Sequence, residues 1–148
     1  MQRRLAVRGI VVHDGKLLCL RLKPYRHADA NTYWCTPGGG LDDGEALVPA
    51  LEREMLKETG IPAKVGRLLY VQQFTHKNQE QMEFFFHIEN AADYLAMDLS
   101  KTTHGADEIE EFGFFDPAKT DVLPLFLQTE SFKKLDSVAT KFFDYLNT

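Results

Sequence analysis

The sequence predicts an α/β (α+β) domain in which a mixed β-sheet is covered by helices on both faces. Three observations favour this fold class. Short apolar runs rich in β-branched residues are separated by turn residues, as in strands. One strongly periodic segment, residues 46–59, predicts an amphipathic helix in the middle of the chain. A second helical pattern follows the last predicted strand, so helices would flank the sheet on two sides.

The first two predicted strands are residues 5–12 and 16–22, which are separated by Asp14 and Gly15. Two apolar runs joined by Asp-Gly are typical of a β-hairpin. The sequence therefore predicts that these strands pair with each other. A polar loop, a short strand and a glycine-rich turn are predicted next, at residues 23–33, 33–36 and 37–40.

The central helix is predicted from apolar residues that recur at every fourth position and form one stripe. Pro49 falls in its first turn, where a missing N–H has no intrahelical partner to lose. Gly60 suits the position just after the helix end. The stripe consists of Leu47, Leu51 and Met55.

The second half of the chain predicts two long strands, one short strand and a C-terminal helix. The helix would begin after Ser131, a fair N-cap, because apolar residues keep helical spacing beyond it. Those residues are Phe132, Leu135, Val138, Phe142 and Leu146. The strands are predicted at residues 65–74, 82–88 and 112–115, with a polar turn at 76–80, an irregular segment at 89–107 and a helical turn at 121–128.

Length and composition indicate an ordinary globular protein. The 148 residues suit a single domain, residues 1–148, with 44% hydrophobic and 26% charged residues. The net charge of −5 argues against a nucleic-acid polymer as partner, because a negative surface repels a phosphate backbone. A small anionic ligand needs only a local cationic pocket and stays possible.

The location of the protein is predicted from two features of the sequence. No signal peptide is expected, because the first apolar run breaks early and no small-residue cleavage site follows, and no segment has the length of a membrane span. Cys19 and Cys35 lie in apolar runs without a CxxC spacing, which favours reduced, buried thiols. A cytoplasmic protein with no membrane partner is therefore expected.

The chemically informative segment lies between Gly39 and Ile61. Glu54 and Glu58 are four residues apart on the predicted helix, so their carboxylates leave the same face. One interpretation is a solvated acidic helix face. The other is a site for Mg²⁺, which prefers oxygen ligands and is usually held by one or two carboxylates together with substrate phosphates.

The spacing of this segment resembles the box that defines the Nudix hydrolase family (MutT-like). Eight of its nine specified positions match, in register, and a strand and glycine turn precede the helix as in the family. The matching residues are Gly39, Glu45, Arg53, Glu54, Met55, Glu58, Gly60 and Ile61. The resemblance implies a Nudix-like mixed β-sheet sandwiched between helices.

The resemblance also implies a function. Nudix hydrolases use Mg²⁺, with Mn²⁺ as an alternative, to cleave a pyrophosphate bond in a nucleoside diphosphate-linked substrate. Subfamily markers for ADP-ribose, diadenosine polyphosphates and coenzyme A are missing. A nucleoside triphosphate or a modified nucleotide is therefore the default small-molecule substrate, by elimination. Exposed strand edges would allow a homodimer.

The family's residue roles transfer to matching positions of this sequence. Glu54, Glu58 and a backbone carbonyl of Gly38 or Gly39 are expected to hold the metal, while Arg53 orients Glu45 or a neighbouring glutamate. The general base varies within the family, and Glu108 in the acidic segment 107–111 is the favoured candidate. Substrate contacts are expected from Arg8, Arg21, Gly39 and Gly40. For each arginine, the alternative interpretation is an ordinary surface charge.

One position departs from the family pattern, because Lys57 replaces the first glutamate of the Glu-Glu pair. Three outcomes are open. The site binds one metal and stays active, Lys57 swings away or contacts a substrate phosphate, or the segment is degenerate and the protein only binds a nucleotide. The last outcome gives the alternative function, a catalytically weak nucleotide-binding or sensor domain.

Overall fold

The computed structural model describes residues 2–24 and 33–144, and two β-sheets form its framework. The larger sheet has five strands and the smaller one has three. The strands are β1 (Gln2–Ile10), β2 (Val12–His13), β3 (Lys16–Leu22), β4 (Gly38–Gly40), β5 (Val65–His76), β6 (Gln79–Ile88), β7 (Ile109–Phe115) and β8 (Lys141–Asp144).

The larger sheet is mixed and follows the order β4-β1-β6-β5-β8. Strand β1 runs parallel to β6 and β5 runs parallel to β8, while the β4–β1 and β5–β6 pairs are antiparallel. The smaller sheet, β2-β3-β7, is antiparallel. The predicted mixed α+β fold is therefore confirmed.

Helix α1 (Leu47–Thr59) lies against β1 and carries the predicted apolar stripe. Leu51 and Met55 are fully buried. Gly9 of β1 permits the close approach, because a Cβ atom there would lie 2.9 Å from the sulfur of Met55. The helix ends as predicted: Gly60 adopts a left-handed conformation (φ 74°) and its N–H bonds to the Leu56 carbonyl.

The opposite face of the larger sheet is covered by an aromatic cluster instead of a long helix. Tyr70 and Phe85 point from the sheet into this cluster, where they meet Phe126 at ring-centroid distances of 5.1 and 5.4 Å. Phe126 belongs to a short 3₁₀ helix, Leu125–Gln128, at the place where the sequence predicts a helical turn.

The remaining helical segments are short. Helix α2 (Gly105–Glu108) contains four residues and leads directly into β7. The segment predicted to be irregular, residues 89–107, contains two 3₁₀ helices before α2. These two helices are Ala91–Ala96 and Leu99–Lys101. A third 3₁₀ helix, Pro117–Lys119, follows β7. Among the described residues, no helix combines the length and apolar character needed to span a bilayer.

The predicted C-terminal helix is wrong over the described residues. The chain forms turns and bends after Ser131 and then the strand β8, which adds to the sheet beside β5. Phe142 of the predicted apolar stripe is 57% exposed, whereas its neighbour Phe143 stacks on Phe126 with a 4.1 Å centroid distance. Pairing with β8 also supplies backbone partners to β5, which would otherwise be an edge. Leu146 lies outside the described residues.

The predicted hairpin is correct only in part. The first apolar run divides after Ile10, so that β1 joins the larger sheet and β2 alone pairs with β3. The turn itself is as predicted, with Asp14 and Gly15 at φ 51° and 75°. Residues 33–36 form isolated bridges instead of a strand, and residues 25–32 of the predicted loop lie outside the described part.

Both cysteines are free thiols, as predicted. Cys19 is fully buried and Cys35 partly so. Burial raises the pKa of each thiol to about 12. Neither is therefore a reactive nucleophile at neutral pH.

The two leucines Leu51 and Leu56 of α1 provide a direct test of the packing. Leu51 is fully buried whereas Leu56 is 50% exposed. We expect Leu51→Ala to lower the free energy of unfolding by about 2–5 kcal/mol, because it removes contacts and leaves a cavity. Leu56→Ala should change it by about 0.5 kcal/mol or less. Urea unfolding of both variants measures this, and equal losses would contradict the helix orientation.

Candidate active site

Arg53 connects the acidic residues at the start and in the middle of α1. Its Nε and Nη2 atoms donate to the two carboxylate oxygens of Glu45 at 2.8 and 2.9 Å. Its Nη1 donates to Glu54 Oε1 at 2.8 Å, and Nη2 also reaches the Gly40 carbonyl at 3.2 Å. One planar guanidinium thus fixes two carboxylates and a backbone carbonyl.

Glu45 is held ionised by this arrangement. The hydrogen bonds from Arg53 lower the pKa of Glu45 to about 2, and the backbone N–H of Asp42, which donates to Glu45 Oε1 at 2.9 Å, acts in the same direction. Glu45 therefore carries its charge at neutral pH. The expected contact between Arg53 and Glu45 is present.

Glu58 lies one turn after Glu54 and is equally buried, with 5% of its surface exposed against 7%. Its Oε1 accepts a hydrogen bond from the Gly38 N–H at 3.1 Å. Burial raises the pKa of Glu58 to about 8, although the positive charge of Arg8 and the Gly38 N–H oppose the shift. The carboxylate of Glu58 is thus desolvated and lies against β4, the glycine strand.

The glycines of β4 allow the helix carboxylates to approach the sheet edge. A Cβ atom on Gly39 would lie 2.7–3.0 Å from the carboxylate atoms of Glu54, closer than such contacts allow. Gly38 adopts φ 148° and a Cβ there would collide with the Val7 carbonyl. The glycine-rich segment therefore serves close packing as well as a turn.

Glu54 and Glu58, one helical turn apart, form a pair of carboxylates that can donate oxygens to a metal. Within residues 2–24 and 33–144, no three His, Cys, Asp or Glu side chains are grouped to hold a metal. A pair of carboxylates is nevertheless a donor set that suits Mg²⁺, which keeps several waters and takes further oxygens from substrate phosphates.

A cleft of about 710 Å³ opens on the sheet face opposite α1. Its floor consists of side chains from β1, β6 and β5, and residues 123–125 form one wall. This volume lies within the range of small-molecule sites. Glu54 and Glu58 do not line this cleft, and Arg4 is the link between the two: it lines the cleft and approaches Gly40, where a Cβ atom would lie 3.3 Å from an Arg4 nitrogen.

Comparison with known proteins decides the family. A family model of the NUDIX domain matches residues 2–136. The chain belongs to the Nudix family. The predicted membership is thereby confirmed.

Individual relatives agree with this assignment. The chain is 30% identical over 114 residues to an ADP-ribose pyrophosphatase of Methanocaldococcus jannaschii, covering 76% of this chain and 61% of that protein. It is 45% identical over 58 residues to an RNA pyrophosphohydrolase of Bartonella quintana, covering 36% and 34% of the two chains. The matches thus span less than two thirds of these relatives.

Solved structures share the fold. The MutT protein of Methanosarcina mazei Go1 superposes with a TM-score of 0.68 at 20% identity, over 91% of this chain and 94% of that chain. A MutT NUDIX hydrolase of Burkholderia pseudomallei gives a TM-score of 0.63 at 24% identity, over 79% and 85%. These likenesses concern the arrangement of strands and helices.

Lys57 lies beside the Nudix carboxylates, where its Nζ atom is 3.9 Å from Glu54 Oε1. Its side chain is 31% exposed. The ammonium is therefore close enough to weaken the field of Glu54, yet it has access to solvent. Glu108, the expected general base, ends α2 and is near enough for its charge to contribute to the raised pKa of Glu58.

The two arginines expected to contact phosphate are already engaged. Arg8 donates to Glu83 Oε2 at 3.1 Å and to the Thr36 carbonyl at 3.2 Å on the cleft floor. Arg8, a charged residue in an otherwise apolar stretch of β1, thus has a carboxylate partner. Arg21 is paired with Glu111 and lies over the Trp34 ring at 5.7 Å, away from the lining of the cleft.

The sequence interpretation missed four residues that line the cleft. Their signal is polar character at alternate positions of strands whose other face is apolar, as in Arg4 and Arg8 of β1. No strand boundary or register was available to show that these positions meet. The missed residues are Arg4, Thr36, Gln72 and Glu83.

The position of Lys57 leads to a test of the metal site. We expect Lys57→Glu to lower the Mg²⁺ concentration for half-maximal rate about two- to fivefold, the size of effect that a partly exposed ion pair supports. Lys57→Gln should give a smaller shift in the same direction. An unchanged or higher Mg²⁺ requirement, measured in rate titrations, would instead assign Lys57 to a substrate phosphate.

Proposed function

We propose that this chain is a Mg²⁺-dependent hydrolase that cleaves a pyrophosphate bond in a nucleoside diphosphate-linked substrate. The observation that carries the proposal is the arrangement around Arg53. It holds Glu54 beside the glycine strand, one turn from Glu58. Family membership supports the reaction type.

The donor set fits one Mg²⁺ held by Glu54 and Glu58, with the Gly38 or Gly39 carbonyl as a further ligand. Mn²⁺ is a chemical alternative with the same preference for oxygen. The bound metal would neutralise charge on the diphosphate oxygens and lower the pKa of the attacking water. Arg53 holds Glu54 in place, and the Gly38 N–H orients Glu58.

In the proposed reaction, water attacks one phosphorus atom and the bond from that phosphorus to the bridging oxygen breaks. The leaving group departs as a phosphate oxyanion. Glu108 accepts the proton of the water, which requires its carboxylate to reach the same cavity as Glu58. Glu45 keeps Arg53 in position and has no contact with substrate in this scheme.

Arg4 takes the place of Arg21 as the proposed phosphate contact, together with the backbone of Gly39 and Gly40. Its guanidinium lines the cleft beside Gly40, and its one hydrogen bond to a described side chain, Gln81 Oε1, is long at 3.4 Å. No other described residue accepts a hydrogen bond from Arg4, so its remaining N–H groups can donate to oxyanions. Arg8 would act at longer range, through its charge.

The substrate proposed by default is a nucleoside triphosphate or a modified nucleotide. Relatives named for ADP-ribose and RNA pyrophosphate hydrolysis support a nucleotide ligand in general. A cytoplasmic location, the absence of a nucleic-acid polymer as partner and a homodimer stay predictions of the sequence.

Lys57 supports a second candidate function, a nucleotide-binding or sensor domain with weak catalysis. A cation 3.9 Å from Glu54 reduces the attraction of the site for Mg²⁺. This candidate predicts that nucleotides bind but are not turned over. The two candidate functions therefore differ in whether a bound nucleotide is hydrolysed when Mg²⁺ is present.

The hydrolase is tested by release of phosphate or pyrophosphate from nucleoside triphosphates, dinucleotides and nucleotide sugars, with Mg²⁺ or with EDTA. We expect turnover only with Mg²⁺. Glu54→Gln and Glu58→Gln should each lower kcat at least about 100-fold, because loss of a ligand exceeds the usual effect of losing its outer-shell partner. Glu52→Gln, on the exposed side of the same helix, is the matched control and should keep its activity.

Two outcomes would reject the hydrolase. Turnover that persists in EDTA or in Glu58→Gln would place the reaction elsewhere. No turnover of any substrate by the wild type, with nucleotide binding intact, would favour the binding domain. Thermal unfolding of each variant shows whether a lost activity reflects lost folding.

A further inference from the structure

A row of aligned side chains crosses the floor of the cleft. Gln72 of β5 lies directly opposite Glu83 of β6, and Ala6 of β1 is the neighbour of Glu83 on its other side. Direct cross-strand neighbours have Cβ atoms about 5 Å apart and point to the same face. The two polar side chains thus form an adjacent pair, next to a position with only a methyl group.

This pair is buried but keeps capacity for hydrogen bonds. Glu83 is 8% and Gln72 4% exposed. Arg8 occupies Oε2 of Glu83, whereas Oε1 accepts no hydrogen bond from the described residues, and the Gln72 amide makes none with them. The hydroxyl of Thr36, also in the cleft lining, is buried without a partner in the described structure.

Polar groups in a protein interior are nearly always paired, because an unpaired group loses its bonds to water without replacement. The Thr36 hydroxyl is such a group, and a ligand in the cleft can supply its partner together with partners for Glu83 and Gln72, which line the same cleft. Glu83 is acceptor-only when ionised, so it requires N–H or O–H donors and repels anions. The Gln72 amide beside it offers both a donor and an acceptor.

The surroundings favour a flat ring as the ligand group. Phe74 lines the cleft two residues after Gln72 on the same face, and Leu123 and Leu125 line it from the wall. A planar heterocycle can place its faces against these apolar groups and its edge against the polar pair. A phosphate group would be repelled by Glu83.

The row also leads to the carboxylate cluster. Gly40 of β4 lies opposite Ala6, so Gly40, Ala6, Glu83 and Gln72 follow one another across four strands. Two strand spacings, roughly 10 Å, separate Gly40 from Glu83. Arg4 and Arg8 line the cleft on either side of the buried Ala6, so a nucleotide lying along the cleft would connect phosphates at Arg4 with a ring at Glu83.

We propose that Glu83 and Gln72 determine substrate specificity by binding the edge of a nucleobase that carries an exocyclic amino group. The amino group donates to Glu83 Oε1, and the Gln72 amide binds the neighbouring ring nitrogen or carbonyl. Cytosine, adenine and guanine have this edge, whereas uracil and hypoxanthine lack the amino group. This inference rests on the proposed hydrolysis of nucleotides at the same site.

The test compares kcat/KM for two matched pairs, CTP against UTP and GTP against ITP. We expect the wild type to favour the amino-bearing member of at least one pair about tenfold or more, since a site built for a hydrogen bond rejects the analogue without it. Glu83→Gln should reduce this preference to about twofold or less, mainly through a higher KM for the amino-bearing nucleotide.

A matched control is available on the same strand. Glu80→Gln makes the same chemical change and removes a similar Arg–Glu pair between β1 and β6, with Arg3 at 2.6 Å. Glu80 does not line the cleft, so its substitution should leave the preference unchanged. Gln72→Met keeps the Arg8–Glu83 pair intact and should lower the preference independently of it.

The result that overturns the proposal is an equal loss of kcat/KM for all four nucleotides in Glu83→Gln, since Glu83 would then only hold Arg8. A wild type without preference in either pair overturns it as well. If no nucleotide is hydrolysed, the same comparison is made with the binding of α,β-methylene analogues of CTP and UTP. A preference there supports base recognition although the hydrolase fails, and equal or no binding rejects it.

Discussion

The hydrogen bonds of the Arg53 guanidinium hold the site together. Arg53 lies on α1, yet its partners come from three places in the chain: Glu45 before the helix, Glu54 on it and the Gly40 carbonyl on β4. Each carboxylate would repel the other without a cation between them. The contact therefore fixes how the helix meets the sheet edge and where the acidic groups point.

Strand β1 shows how the two faces of one strand serve different purposes. Val7 and Gly9 face α1 and belong to the apolar packing, with Gly9 allowing Met55 to approach. Arg4, Ala6 and Arg8 face the cleft. Successive side chains of a strand point to opposite faces of the sheet, so one strand can contribute to both. The helix can thus press its carboxylates against β4 while the other face remains open to a ligand.

Alternation along a strand also explains why the cleft residues were hard to find. Glu83 precedes three phenylalanines in β6, Gln72 lies among mixed polar and apolar residues of β5, and either polar residue by itself is ordinary. Their pairing depends on the register between β5 and β6, which contains irregularities between Val65 and Tyr70. No local pattern encodes that register. A polar pair therefore becomes recognisable only when the strands are aligned.

The errors in the fold predicted from the sequence have a related cause. Spacing after Ser131 fits a helix, but the backbone of residues 141–144 pairs with β5, and the apolar side chains fill the aromatic cluster without helical geometry. The first apolar run likewise divides between two sheets. Periodicity found Leu135 but not Phe143, because the partner against which a segment packs decides both its backbone conformation and which side chains are buried.

The sequence by itself determined the central helix with its ends, the Asp14-Gly15 turn with positive φ, the family and the residues that match the Nudix box. Each of these depends on residues close together in the chain, so local spacing and turn chemistry suffice. Only the tertiary structure decided that Arg8 pairs with Glu83, that Arg21 lies away from the cleft and that Arg4 lies beside Gly40. These contacts join residues far apart in sequence, and the sheet register that brings them together is set by the packing of the whole domain.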